Sequence, residues 1–426
     1  MTDPRPDAVP PKRLSLIGPG IVVAATGVGA GDLVATLIAG SRFGYALLWA
    51  AVLGAVLKIA LAEGVGRWVL SSGRTIFDGW SSLPGATLMG GRLNWAGVYF
   101  GLYVVVWGFV YGAAAMTATA LPLAALVPLL DLKTWGILSG LAGLGMVWFG
   151  NYRLFETVMT ALVGVMFVTV VGLAIIVTPD LPRLLTGMWP TLPPGSVFYT
   201  LGLMGGVGGT ITMAAYGYWL NAKGWRGPAW IGVMRIDNRI AYGVTGLFVV
   251  AMLIVGAELL HAGGIALAGG ERGLLDLDRV LRDRFGQLVS VMFLIGFWAT
   301  SFTSLLGVWQ GVSLMFADFT AHLAGRSADE GARGDRSPAF RAYVLWLTLP
   351  PMLLLFMDRP FGLIVAYGVL GSLFMPFLAG TLLWLLNSSR VPPEWRSGWV
   401  SNLLLGGAAV LFAILAGREL VGLFSG

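Results

Sequence analysis

The chain has 426 residues, of which 57% are hydrophobic and 11% charged, with a formal net charge of +6. Soluble domains run nearer ~45–50% apolar and ~25% charged, and one soluble core could not hide this much apolar surface, whereas a bilayer removes the need to hide it. The small positive charge is spread over loops, which argues against a nucleic-acid footprint, and the absence of cysteine excludes disulfides, thiolate metal sites and cysteine nucleophiles.

Residues 1–15 are Pro-rich and polar and read as a cytoplasmic N-terminal tail, because no A-x-A-like cleavage site closes a short apolar run after them. Apolar stretches of about 20 residues, enough to cross a bilayer core, then fall near 16–40, 44–70, 94–120, 134–150, 154–178 and 196–220. A second set falls near 236–258, 286–316, 341–357, 361–387 and 399–423. The pattern predicts an all-α membrane protein of about eleven transmembrane helices: one five-helix half over 16–178, a second over 196–387, and an additional C-terminal helix at 399–423. Lys and Arg are commoner in the loops that are cytoplasmic when the N-terminus is inside. That bias predicts an N-terminus in the cytoplasm and a C-terminus outside, in a protein expected in the cell (inner) membrane.

The first span carries Gly18-Pro19-Gly20 and then Gly27-Val28-Gly29-Ala30-Gly31-Asp32, and the sixth carries Gly205-Gly206-Val207-Gly208-Gly209-Thr210. Each glycine weakens a helix by about 0.8–1 kcal/mol relative to alanine. The clusters stand at matching places in the two halves, which predicts helix breaks at Gly27 and Gly31 and at Gly208 and Gly209, as in transporters that bind substrate at the bilayer midplane. The alternative use of these glycines is close helix packing.

Asp32 lies midway along the first span, where a carboxylate needs a partner. A bound cation, a proton, a helix-end dipole or Lys58 would each serve. Lys58, Glu63 and Arg67 share the second span, and Glu63 and Arg67 have the i,i+4 spacing of an ion pair. They read as gating or ion-pair residues, with Arg67 snorkelling to the cytoplasmic end. Glu156 reads as a similar pair with Arg153. After the sixth-span glycines come Thr210, Met213 and Tyr216: a backbone carbonyl, a soft thioether donor suited to transition metals, and an aromatic that is a gate, an anchor or a pocket wall. Gln310 is a buried polar group that needs a partner. His261 and His322 are placed in polar loops. There is no P-loop, H-E-x-x-H or G-x-S-x-G motif, so an enzyme is not expected.

In chain order, Gly18-Pro19-Gly20, Tyr152-Arg153 with Glu156-Thr157-Val158, Arg235-Ile236-Asp237-Asn238-Arg239, and Met375-Pro376-Phe377 resemble segments of the first, fifth, seventh and tenth spans of the Nramp family. Members of that family are proton-coupled divalent-metal transporters with the LeuT-type fold, an inverted 5+5 repeat with helices one and six broken. The resemblance runs from about residue 16 to 387. The family's D-P-G-N falls on Gly29-Ala30-Gly31-Asp32, and its M-P-H-N on Met213-Ala214-Ala215-Tyr216. Met213 therefore matches a side-chain ligand, Asp32 is a carboxylate shifted by one turn, and Gly368 stands where the tenth-span glutamine would be. The resemblance implies a divalent cation as transported substrate, bound by Asp32 and Met213 with the carbonyls of Gly29 and Thr210. It implies no cofactor and no obligate protein partner beyond the lipid bilayer. The altered site leaves a second reading open, a transporter of a small amino acid or organic cation contacted by Asp32 and Tyr216.

Overall fold

The computed structural model describes residues 18–88, 93–206, 209–262, 272–356 and 360–425; the predicted tail at 1–15 and Gly208 lie outside them, as do some side chains within them, Asp32 included. The first half comprises α1 (Pro19–Thr26), α2 (Ala30–Phe43), α3 (Leu48–Ser72), a short α4 (Ile76–Ser81), α5 (Trp95–Leu126), α6 (Leu132–Phe149) and α7 (Tyr152–Ile176). After α8 (Leu181–Gly187), the second half comprises α9 (Val197–Gly206), α10 (Thr212–Ala222), α11 (Ile231–Val255), α12 (Arg272–Phe285), α13 (Gln287–Leu323), α14 (Glu330–Arg333), α15 (Pro338–Met352) and α16 (Pro360–Asn387), and α17 (Trp399–Ser425) follows. Among the described residues, the one departure from helical secondary structure is a two-residue antiparallel pairing, β1 (Thr87–Leu88) with β2 (Leu93–Asn94).

Among the described residues, eight helical stretches are long and apolar enough to cross a membrane. The remaining predicted spans are the two interrupted helices, α1 with α2 and α9 with α10, and the 28-residue α16. Polar side chains mark where the helices start. Thr75 and Asp78 form a capping box on α4, and Asn94, Asp131, Asn151 and Ser337 accept amide bonds at the starts of α5, α6, α7 and α15. These caps satisfy amides that have no helical partner. The 37-residue α13 is the central post, packed against α5, α7, α15, α1 and α10, while α11 packs on α3, α1 and α2.

Candidate functional site

The first break is short. The Gly27 amide still bonds back to Val23 and Ala24 at 3.1 Å, and α2 resumes with the Leu33 amide donating to the Gly29 carbonyl at 3.2 Å. Gly31 is therefore the second residue of α2 and not part of the break, contrary to the sequence expectation. Once Gly29 has supplied the first acceptor, helix propagation continues through a single glycine.

The half-helix α1 is fastened at both ends. At its start the Gly20 amide donates to Asp237 Oδ2 of α11 at 2.6 Å, a carboxylate on the positive end of a helix dipole. A Cβ on Gly18 or Gly20 would lie 2.7 Å or 2.6 Å from the Asp237 carboxylate oxygens, which explains why the Gly-Pro-Gly opening needs its glycines. At its end the Thr26 carbonyl accepts the Ser304 hydroxyl of α13 at 2.9 Å, and Ser304 pairs with the Tyr111 hydroxyl at 2.8 Å.

The second break lies between α9 and α10. Gly209 has φ +89°, a conformation that favours glycine, and a Cβ there would lie 2.9 Å from Gly27 Cα, so the two breaks touch. Gly209→Ala is expected to cost about 1–3 kcal/mol and to lower the unfolding midpoint of the purified protein. An unchanged midpoint would mean that the breaks do not need this contact. Beyond Gly209, Thr210 stands beside Gly371 of α16, and its carbonyl accepts the Met213 amide at 3.2 Å. Met213 is fully buried in the first turn of α10.

Lys58, also fully buried, reaches this place from α3: its ammonium donates to the Gly209 carbonyl and lies 4.0 Å from Met375 Sδ. The structure thus gathers Gly27, Gly29, Gly209, Thr210 and Lys58 around the breaks, with Met213 following on α10. Asp32 is in the first turn of α2, and its side chain lies outside the description. Tyr216 turns away from the breaks onto α11, where its hydroxyl donates to Asp237 Oδ2 at 3.2 Å.

Glu63 and Arg67 form the expected i,i+4 pair at 3.2 Å, but they belong to a brace and not to the breaks. Glu63 also holds Arg235 of α11 at 2.9 Å. Arg67 does not snorkel. It is 3% exposed and bonds the carbonyls of Trp395 and Arg396 and the hydroxyls of Ser397 and Ser401. These preformed acceptors, in the connection before α17 and in its first turn, replace the water it would otherwise seek.

Two further expectations change. Glu156 pairs with Lys223, just past α10, at 2.6 Å, and no Arg153–Glu156 pair occurs among the described residues. His322 lies in the last turn of α13, not in a loop, with Nε2 2.9 Å from Asp78 and Nδ1 3.2 Å from Asp318. His261 closes a π turn, bonded to the Ser41 carbonyl. Gln310 finds its partner in the Trp219 indole.

Around His322 is a cluster that the sequence pattern did not reveal. Arg333 bridges Asp78 at 2.8 Å and Asp318 at 2.6 Å, and the Tyr218 hydroxyl donates to Asp318 at 2.6 Å. Burial alone would raise the Asp78 carboxyl, but hydrogen bonds from His322 and Arg333 outweigh it and hold the group well below the usual carboxylate range. A cavity of about 480 Å³ adjoins the cluster, lined among others by Asp78, Tyr218, Gln310 and Arg333.

The divalent metal cation transporter MntH of Mycobacterium tuberculosis is 26% identical over 314 residues, covering 70% of this chain and 69% of that protein. MntH of Deinococcus radiodurans is 24% identical over 327 residues, covering 71% and 69%. Among solved structures, the Eremococcus coleocola manganese transporter matches with a TM-score of 0.80 at 15% identity, covering 98% of this chain and 91% of that one. MhsT in complex with L-phenylalanine matches with a TM-score of 0.56 at 15% identity, covering 94% and 97%. These likenesses give the fold, the LeuT type with helices one and six broken. The family model "Natural resistance-associated macrophage protein-like" matches residues 20–422, so the chain belongs to the Nramp family.

Proposed function

We propose that this protein is a secondary-active transporter of divalent metal ions, binding the ion where the two broken helices meet. The observation that carries the reading is the contact between Gly27 and Gly209 in a chain of the Nramp family. Half-helix ends at that depth present backbone dipoles to an ion. Asp32 supplies negative charge and Met213 a soft donor, and the Gly29 and Thr210 carbonyls complete the ligand set. Family membership does not favour the organic-solute reading.

The pattern of polar contacts supports alternating access. Spans one, two, six and seven are tied to one another: Asp237 joins α1, α10 and α11, Lys58 joins α3 to the second break, and Asn238 Nδ2 donates to the Ile59 carbonyl at 2.9 Å. At the α10 end, contacts from this bundle to the other helices run through Tyr218–Asp318, Trp219–Gln310 and Lys223–Glu156. A bundle with such internal ties moves as a body once its contacts with the other helices release. In our reading that end is cytoplasmic, in a cell membrane with the N-terminus inside.

The test is uptake of Mn²⁺, Cd²⁺ and Mg²⁺ into proteoliposomes. Asp32→Ala is expected to reduce Mn²⁺ uptake by at least about tenfold, the scale of losing one charged ligand interaction. Met213→Ala is expected to lose Cd²⁺ transport while retaining Mg²⁺ transport. Failure of the unaltered protein to move any of these ions would end the metal reading, and equal uptake by Asp32→Ala would end the ligand assignment.

A further inference from the structure

Lys58 has no part in that ligand set, yet it is fully buried and stands at the same place. Four described elements help to fix it. The α3 helix carries it, the second break offers the Gly209 carbonyl, α16 brings Met375 Sδ to 4.0 Å, and α17 presents the Phe412 ring with its centroid 5.3 Å from Nζ. A carbonyl oxygen, a thioether and an aromatic face are all groups that receive a cation. Gly209 immediately precedes Thr210, whose carbonyl we assign to the transported ion.

Resting on the transport reading, we propose that Lys58 is a tethered cation: its ammonium holds the Gly209 carbonyl when no ion is bound, and an incoming divalent ion competes with it. Two like charges cannot share neighbouring carbonyls of one break without repulsion. Lys58 therefore lowers the affinity of the site and restores the second break once the ion leaves. The residue sets affinity; it is not a ligand.

The experiment compares the unaltered protein with Lys58→Met, Lys58→Gln and Lys58→Arg, by Mn²⁺ uptake into proteoliposomes and by calorimetric titration of the purified protein with Mn²⁺. Lys58→Met removes the charge at nearly constant volume, and Lys58→Gln also keeps a donor for the Gly209 carbonyl. Both are expected to lower KM and Kd for Mn²⁺ by about tenfold, the effect of removing a nearby like charge. Lys58→Arg, which keeps the charge, is expected to stay closer to the unaltered protein. Folded neutral variants with unchanged or raised KM and Kd would overturn the proposal. If neither neutral variant folds, the ammonium is a fixed structural pin and the proposal falls as well. An unaltered protein that neither moves nor binds a divalent ion overturns the transport reading and this inference with it. Transport that persists with KM and Kd unmoved in the variants overturns this inference alone.

Discussion

Arg333→Ala is expected to destabilise the protein by about 3–5 kcal/mol, the usual cost of stripping one partner from a buried charged group. Asp318 has no exposed side-chain surface, and Arg333 meets it at 2.6 Å while also holding Asp78 at 2.8 Å. Without the guanidinium, two carboxylates are left to the Tyr218 hydroxyl, the His322 ring and the Thr75 cap. The readout is the thermal midpoint of the purified protein at neutral pH, with Arg333→Lys falling between the two. A midpoint that does not move in Arg333→Ala would show that the cluster carries no net stability. The pH dependence follows from the same contacts. The folded-state pKa of Asp78 is depressed, so its contribution is present above the unfolded value of about 3.9 and is lost as the pH falls through the folded value. Arg333→Ala removes one cause of the depression, so its midpoint is expected to depend less on pH on the acid side of 3.9 than that of the unaltered protein.

That cluster illustrates what the amino-acid order does and does not carry. Spans were legible because bilayer thickness imposes a length on every apolar run, and the predicted stretch at 154–178 coincides closely with α7 (Tyr152–Ile176). The breaks were legible because glycine and proline act locally on a helix, although Gly31 was assigned to a break when α2 already contains it. Partners were less legible. Glu156 has Arg153 three residues away, yet it meets Lys223 from another span, because interhelical register depends on how two surfaces pack and not on sequence spacing. Arg67 was expected at the interface for the same reason: nothing near it in sequence announces the Trp395 and Arg396 carbonyls that enclose it. Asp237 appeared only as one letter of a seventh-span motif. Its role depends on two glycines more than 200 residues earlier, whose spacing around Pro19 marks a close approach without saying to what.

The consequence of that contact is the second large effect. Asp237→Ala is expected to cost about 3 kcal/mol, since hydrogen bonds to a charged group are worth roughly 1.5–3 kcal/mol each and do not simply add. The carboxylate is 6% exposed and takes both the Gly20 amide and the Tyr216 hydroxyl on Oδ2. Removing it leaves a fully buried hydroxyl without that acceptor and frees the start of α1 from α11. Because spans one, six and seven meet at this one group, Mn²⁺ uptake is expected to fall along with the thermal midpoint. Asp237→Asn keeps an acceptor without the charge and is expected to lie between the unaltered protein and Asp237→Ala. Gly20→Ala attacks the contact from the other side, by placing a Cβ 2.6 Å from Oδ2. If α1 is held through this carboxylate, the double variant Gly20→Ala/Asp237→Ala is less destabilised than the sum of the single changes, because the second removes what the first collides with. Strict additivity of the two midpoint shifts would mean that the two residues act separately and that α1 is held to α11 by packing alone.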